Sequence, residues 1–234
     1  MLKDVNLFYQ PGIPQGIHHL DREESHHAIR VLRMSEGQSL DLTDGQGFFY
    51  VARITKADPK KSGFEILEKK QGTKRGFHIH IAIAPTKNAD RIEWFIEKAT
   101  EIGIDQISFM VCKNSERKVI NLERLEKVAV SAMKQSQQAW LPQLSQMTPF
   151  KEIISAQVDQ KFIAYVDADN PNHLQAVGKP GKKYLVLIGP EGDFSPEELS
   201  HALSSGFQKV GLGPNRLRTE TAALVACHTL NLIQ

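Results

Sequence analysis

Several things are scarce in this chain, and each shortage closes a class of reading. Only two cysteines, Cys112 and Cys227, occur in 234 residues, far apart and in apolar settings. That excludes a disulfide scaffold and predicts two buried, reduced thiols in a cytoplasmic protein. No apolar run approaches the roughly 20 residues of a membrane span, so no membrane partner is expected. The start, Met1-Leu-Lys-Asp-Val, lacks the long apolar core of a secretory signal. Neither sign of charge is in excess: 29 Lys and Arg face 27 Asp and Glu, for a net +2. That balance neither demands nor excludes nucleic acid, because a local patch can bind phosphates without a basic total. The pairs His18-His19 and His26-His27 point their members apart on any regular element, and no helix carries zinc spacing, so no metal is expected. There is no internal repeat and no low-complexity tract.

What is present has two textures. Residues 1–70 read mostly as β. Leu40 to Ile54 forms two strand-like runs around Asp44-Gly45, a hairpin signal, and Gly63 to Glu68 reads as another strand. One helix interrupts, with Asp21 and Glu24 spaced as a capping box. It carries His26, His27, Arg30 and Arg33, and a small barrel with one helix is expected. The polar, basic stretch 71–76 reads as a linker.

From residue 77 to 234 strands and helices alternate, which implies a mainly parallel sheet covered by helices. Strands are expected at Phe77–Ala84, Ile107–Val111, Phe162–Val166, Tyr184–Ile188 and up to Val210. Helices are expected at Asp90–Ile102, capped by Asp90 with Glu93, at Asn121–Ala139, after Ser195-Pro196, and at Thr219–Ile233.

Two glycine-proline loops stand out, each between an apolar run and a helix. One is Gly189-Pro-Glu-Gly192. The other runs from Gly211-Leu-Gly213 through Pro214, Asn215 and Arg216 to Leu217-Arg-Thr-Glu220. Strand ends in α/β sheets are where ligands bind. Glycine turns before helices most often cradle phosphates, yet neither loop fits a phosphate template. No lysine follows as a P-loop needs, and Arg216 stands where the third glycine of G-x-G-x-x-G belongs. The loops suit a ligand that needs close backbone approach without a lysine on phosphate, such as a neutral or cationic adenine-containing molecule.

On these residues the chain resembles a family: the RsmE-type 16S rRNA uridine-N3 methyltransferases of the SPOUT superfamily. Ile188-Gly-Pro-Glu-Gly192, Leu212-Gly213 and Leu217-Arg-Thr-Glu-Thr-Ala222 carry the resemblance. So do Lys98-Ala-Thr-Glu-Ile-Gly103, Glu116-Arg117, Ala132-x-x-Gln-Ser136 with Pro142, and His27-x-x-x-Val-Leu-Arg33. The resemblance implies an α/β protein: a trefoil-knotted, mainly parallel SPOUT sheet at 77–234, preceded by a PUA-like RNA-binding β-barrel at 1–70. It implies a homodimer that uses S-adenosylmethionine and acts on a uridine of 16S rRNA in the small ribosomal subunit. Two positions depart from the pattern: Asp193 stands where a second glycine is frequent, and Gln138 where many members have arginine.

The resemblance also assigns roles. Arg218, then Arg216, would stabilise the charge left when uridine N3 loses its proton. Glu191 and Glu220 are further catalytic candidates. The cofactor wall would comprise Leu187, Ile188, Gly189, Pro190, Glu191, Gly192, Gly211, Leu212, Gly213, Asn215, Leu217, Arg218 and Thr219. Candidate RNA phosphate contacts are Arg30, Arg33, Lys87, Arg91, Arg117 and Lys118. Plainer readings stand beside these: Arg218 pairing with Glu220 or Glu191, Thr219 and Glu220 capping the last helix, and Leu187, Ile188, Leu212 and Leu217 as ordinary core. Rival functions are another SPOUT methylation, at ribose 2′-O or N1, and a non-catalytic RNA-binding assembly factor.

Overall fold

Four strands, β1 (Leu7–Tyr9), β2 (Ser39–Thr43), β3 (Phe48–Lys56) and β4 (Gly63–Gln71), pair in that order in the computed structural model, which describes residues 6–166 and 172–234. Strands β2 and β3 are the expected hairpin, with Gly45 at φ 70° in its turn. Strand β4 runs past the expected Glu68 because long β3 offers it a ladder as far as Gln71, opposite Phe48. Strand β1 is too short to show a period, and it pairs parallel to β2. Phe8, Leu40, Leu42, Tyr50, Ala52, Ile54 and Phe64 turn one face of this sheet onto Ile13, Leu20 and Ala28.

Helix α1 (Arg22–His26) opens as expected, Asp21 Oδ1 accepting the Glu24 N–H at 2.8 Å, and continues as a wider π-helical turn over His27–Val31. The glutamate half of the box is not made. Glu24 is buried and pairs with Lys134, and burial pushes its carboxyl above the ordinary range.

The chain separates by its contacts into two units. The first ends at Lys74 and also takes in Val130–Leu141; the second comprises Arg75–Ala129 and Pro142–Gln234. A boundary drawn along the sequence leaves Val130–Leu141 out of the first unit. Within the first unit, Gly47 (φ 107°) leaves no room for a Cβ against the Trp140 ring, which would lie at 2.3 Å.

The second unit holds strands β5 (His78–Ile83), β6 (Gln106–Val111), β7 (Gln143–Pro149), β8 (Gln160–Ala164), β9 (Lys183–Ile188) and β10 (Gln208–Val210). Every pair is parallel, in the order β10-β8-β9-β5-β6-β7. Its helices are α2 (Ala89–Ile102), α4 (Phe150–Ile153), α5 (Leu174–Val177), α6 (Pro196–Ser204) and α7 (Thr219–Leu232), while α3 (Leu122–Gln135) begins here and ends among residues of the first unit. Strand β8 stops at Ala164, short of the expected Val166, and two helices also depart from expectation. Asn88, not Asp90, caps α2, its Oδ1 accepting the Asp90 N–H at 2.9 Å, and Glu93 pairs with Arg124 instead. Helix α3 stops at Gln135 rather than Ala139, because Gln137 takes a φ of 55°. Helix α6 shows the full capping box, Ser195 with Glu198. No described helix is long and apolar enough to cross a membrane.

The two cysteines are buried and free, as expected, and burial holds both thiols in the protonated form, pushing Cys227 up to about 12.

Candidate functional site

Register decides where the loops go. Ile83 of β5 faces Ile188 of β9, Ile188 faces Ala164 of β8, and Ala164 faces Val210 of β10. Four strands therefore end on one line, and the segments that leave three of them surround one cavity of about 920 Å³. After β8 come Tyr165 and Val166; after β9, Gly189, Pro190, Glu191 and Asp193; after β10, the run Gly211 to Thr219. The two glycine-proline loops, which begin at Gly189 and Gly211, are walls of one cavity at the carboxyl ends of a parallel sheet. The volume lies within the roughly 300–1,000 Å³ of small-molecule pockets.

Hydrogen bonds from distant parts of the sequence fix each wall. Gly211 donates its N–H to Asn172 O (2.7 Å) and accepts from the Leu174 N–H (3.1 Å), so its backbone is spent on the fold. Gly213, at φ 141°, is exposed and open on all sides, in a conformation that side chains rarely adopt. The other loop is tied across the sheet. Asn114 Nδ2 donates to the carbonyls of Gly192 and Asp193, both at 3.1 Å, and Glu191 Oε1 accepts the Lys87 N–H at 3.2 Å. Arg117 donates through Nε to Thr86 O (3.0 Å) and through Nη2 to Lys87 O (2.5 Å), pinning the loop after β5.

Helix α7 points its N-terminus at the cavity: Arg218, Thr219 and Ala222 line it. The first N–H groups of an α-helix lack intrahelical partners and are electropositive, and Arg218 at the cap position makes no side-chain bond to them. Three arginines (Arg91, Arg216, Arg218) and two acids (Glu191, Asp193) line the walls, along with Ile188, Leu212 and Leu217. Such a site offers apolar surface for a flat ring, carbonyls and amides for its polar edge, and fixed cations beside developing negative charge.

The family profile of the RNA methyltransferase domain matches residues 73–231, and that of the RNA methyltransferase PUA domain matches residues 20–67. The chain belongs to the RsmE-type RNA methyltransferases. It is 30% identical to a ribosomal RNA small subunit methyltransferase E from Mesomycoplasma hyopneumoniae, over 76% of this chain and 79% of that protein. A Porphyromonas gingivalis structure described as a probable rRNA-methyltransferase is 44% identical, with a TM-score of 0.92 and 98% of each chain covered. The Legionella pneumophila protein Lpg2936, solved with the cofactor SAM bound, is 27% identical, with a TM-score of 0.85 over 97% of each chain. The second unit is thus the methyltransferase sheet, and the first carries the PUA-like strands.

In this cavity of an RsmE-type chain, the structure gathers most of the expected residues and leaves others out. Ile188, Gly189, Pro190, Glu191, Gly211, Leu212, Gly213, Asn215, Arg216, Leu217, Arg218 and Thr219 all line the cavity. Leu187 does not. It points into the core beside Ile163, Phe194 and Phe207, fully buried, because strand residues alternate sides and Ile188 takes the other face. Gly192 also lies off the cavity wall, where an added Cβ would press on Asn114 at 3.3 Å. Glu220 sits buried behind the wall and pairs with Arg91. The plainer pairing of Arg218 with Glu220 or Glu191 is not made.

The expected RNA contacts divide. Arg30 and Arg33 are exposed on the first unit, Arg33 at φ 57°. Lys118 is exposed, and Lys87 reaches Glu116 at 3.4 Å in the open. Arg117 spends two donors on backbone carbonyls and so shapes a loop, while Arg91 belongs to the cavity. Sequence reasoning missed Tyr165, Val166 and Asp193 as wall residues. The first two follow an ordinary buried strand with no motif after it. Only the adjacency of β8 and β9 brings them in.

Proposed function

We propose that this chain transfers a methyl group from S-adenosylmethionine to N3 of a uridine in 16S rRNA. The observation that carries the reading is the meeting of both glycine-proline loops in one cavity at the strand ends, with the α7 N-terminus beside it. The lining fits the cofactor: Ile188, Leu212 and Leu217 offer carbon surface for adenine, glycines allow close backbone approach, and no lysine demands a phosphate. Bound there, S-adenosylmethionine supplies an electrophilic sulfonium methyl. The chain's own work is to place the uracil edge in line with that methyl and exclude water. It must also stabilise the negative charge on N3 and its flanking carbonyl oxygens once the N3 proton has left.

Arg218 is the first group for that charge, lining the cavity, exposed and in no ion pair among the described residues, with Arg216 second. Glu191 faces the same space. The first unit holds RNA, with Arg30 and Arg33 touching phosphates alongside Lys87 and Lys118. On this reading the protein acts as a homodimer, and its sheet carries the trefoil knot of its family.

The test is mass mapping of 16S rRNA from a strain lacking this protein. The expected result is the loss of one N3-methyluridine, restored by the wild-type gene and not by Arg218→Ala. An unchanged methylation map would overturn the reading.

A further inference from the structure

Asp193 carries more constraint than a loop residue needs. Its φ of 60° lies in the left-handed region, which side chains other than Asn and Asp adopt with difficulty. Three bonds hold it there. Its N–H donates to Pro190 O at 2.9 Å, its carbonyl accepts from Asn114 Nδ2 at 3.1 Å, and its own Oδ1 accepts the Phe194 N–H at 2.8 Å. Oδ2 has no hydrogen-bond partner among the described residues, and the residue lines the cavity. A left-handed residue held by three bonds, with such a carboxylate oxygen on a cavity wall, is a reason to ask what the side chain does.

The other charges on the wall show why this carboxylate differs. Glu191 is exposed and engaged with the Lys87 N–H. Arg91 is paired with Glu220. Asp193 is half-buried, so water and salt screen it less than Glu191. Burial raises its pKa somewhat, while the Phe194 N–H and the Arg216 guanidinium pull the other way.

We propose that the Asp193 carboxylate makes the cavity prefer the cationic sulfonium cofactor over its uncharged thioether product, an inference that rests on the reading under Proposed function. S-adenosylmethionine and S-adenosylhomocysteine share the adenosine, the amino group and the carboxylate. They differ by one methyl and the positive charge on sulfur. A fixed, poorly screened anion on the wall stabilises the first and does nothing for the second. When the methyl leaves, the attraction ends with it, and exchange of product for fresh cofactor is favoured. Asp193 acts here as a specificity-determining residue and takes no part in bond making.

A purely conformational role asks less of the side chain: tolerance of positive φ and one acceptor for the Phe194 N–H. Asparagine meets both demands without the charge. Calorimetric titration of the full chain with each ligand separates the two roles, using the wild type, Asp193→Asn and Asp193→Gly. Asp193→Asn is expected to weaken S-adenosylmethionine on the order of tenfold. S-adenosylhomocysteine should move less than about twofold, since it brings no charge to sulfur. Asp193→Gly should show the same selective loss, although its backbone takes the positive φ freely. Unchanged binding of both ligands by Asp193→Asn would overturn the inference, as would equal weakening of both. If wild-type protein binds neither ligand, the proposed function fails and this inference with it. If wild-type protein binds both with the asparagine variant unaltered, only this inference fails.

Discussion

Arg91 sets its Nε 3.6 Å from Oε1 of Glu220, a carboxylate whose other oxygen is buried without a hydrogen-bond partner among the described residues. The pair joins α2 to the first turn of α7, the helix that points its N-terminus at the cavity. Glu220 is buried and Arg91 about one-third exposed, so the carboxylate depends on the cation more than the reverse.

Removing the arginine should therefore cost more than removing the acid. Arg91→Ala strands a buried carboxylate and is expected to lower stability by about 1–3 kcal/mol. Glu220→Gln should cost less, and the double variant should regain part of the Arg91→Ala loss. Urea unfolding of the four proteins measures this coupling. Strictly additive losses would mean that the pair contributes nothing.

One leucine on a strand and one in a loop offer a second contrast. Leu187 is fully buried core, whereas Leu217 is half-buried on the cavity wall. Leu187→Ala should destabilise the fold by about 2–5 kcal/mol, with cofactor affinity little changed in the protein that remains folded. Leu217→Ala should do the opposite, leaving the urea midpoint nearly unmoved and weakening S-adenosylmethionine. Paired unfolding and calorimetric measurements read both. A cofactor effect confined to Leu187→Ala would reverse the assignment.

His80 supplies a pH signature. It is buried on β5, its Nε2 2.8 Å from Ser108 Oγ on β6, and burial drives its pKa down from 6.5 to about 4. The folded state keeps the ring neutral while the unfolded chain takes a proton near the ordinary value. This contribution to stability is present above 6.5 and is lost as pH falls from 6.5 towards about 4. At its limit the loss is about 3 kcal/mol. His80→Gln keeps a bond to Ser108 and should show a shallower acid decline in urea-unfolding free energy. Parallel declines in the two proteins would show that His80 does not titrate this way.

Much of this was legible in the sequence because the signals are local. Apolar strand runs, the Ser195-Pro196 start with Glu198, and the glycine-proline turns are each written within a few residues, and each forms where expected. The failures share a cause. Asn88 outcompeted Asp90 as a cap, and Glu24 left its capping box for Lys134, 110 positions away. Neither choice can be read without knowing what packs nearby.

By itself the sequence determined the alternation of strands and helices, the two unusual loops and the family that their residues mark. Those depend on backbone propensity and on side-chain types at fixed spacing. The tertiary structure alone decided the rest: that β8 lies between β9 and β10 and so brings Tyr165 and Val166 to the cavity, that Leu187 faces the core while Ile188 faces the cavity, and that Arg91 serves Glu220. Strand order and facing are set by non-local burial of apolar surface, which no local window of residues contains.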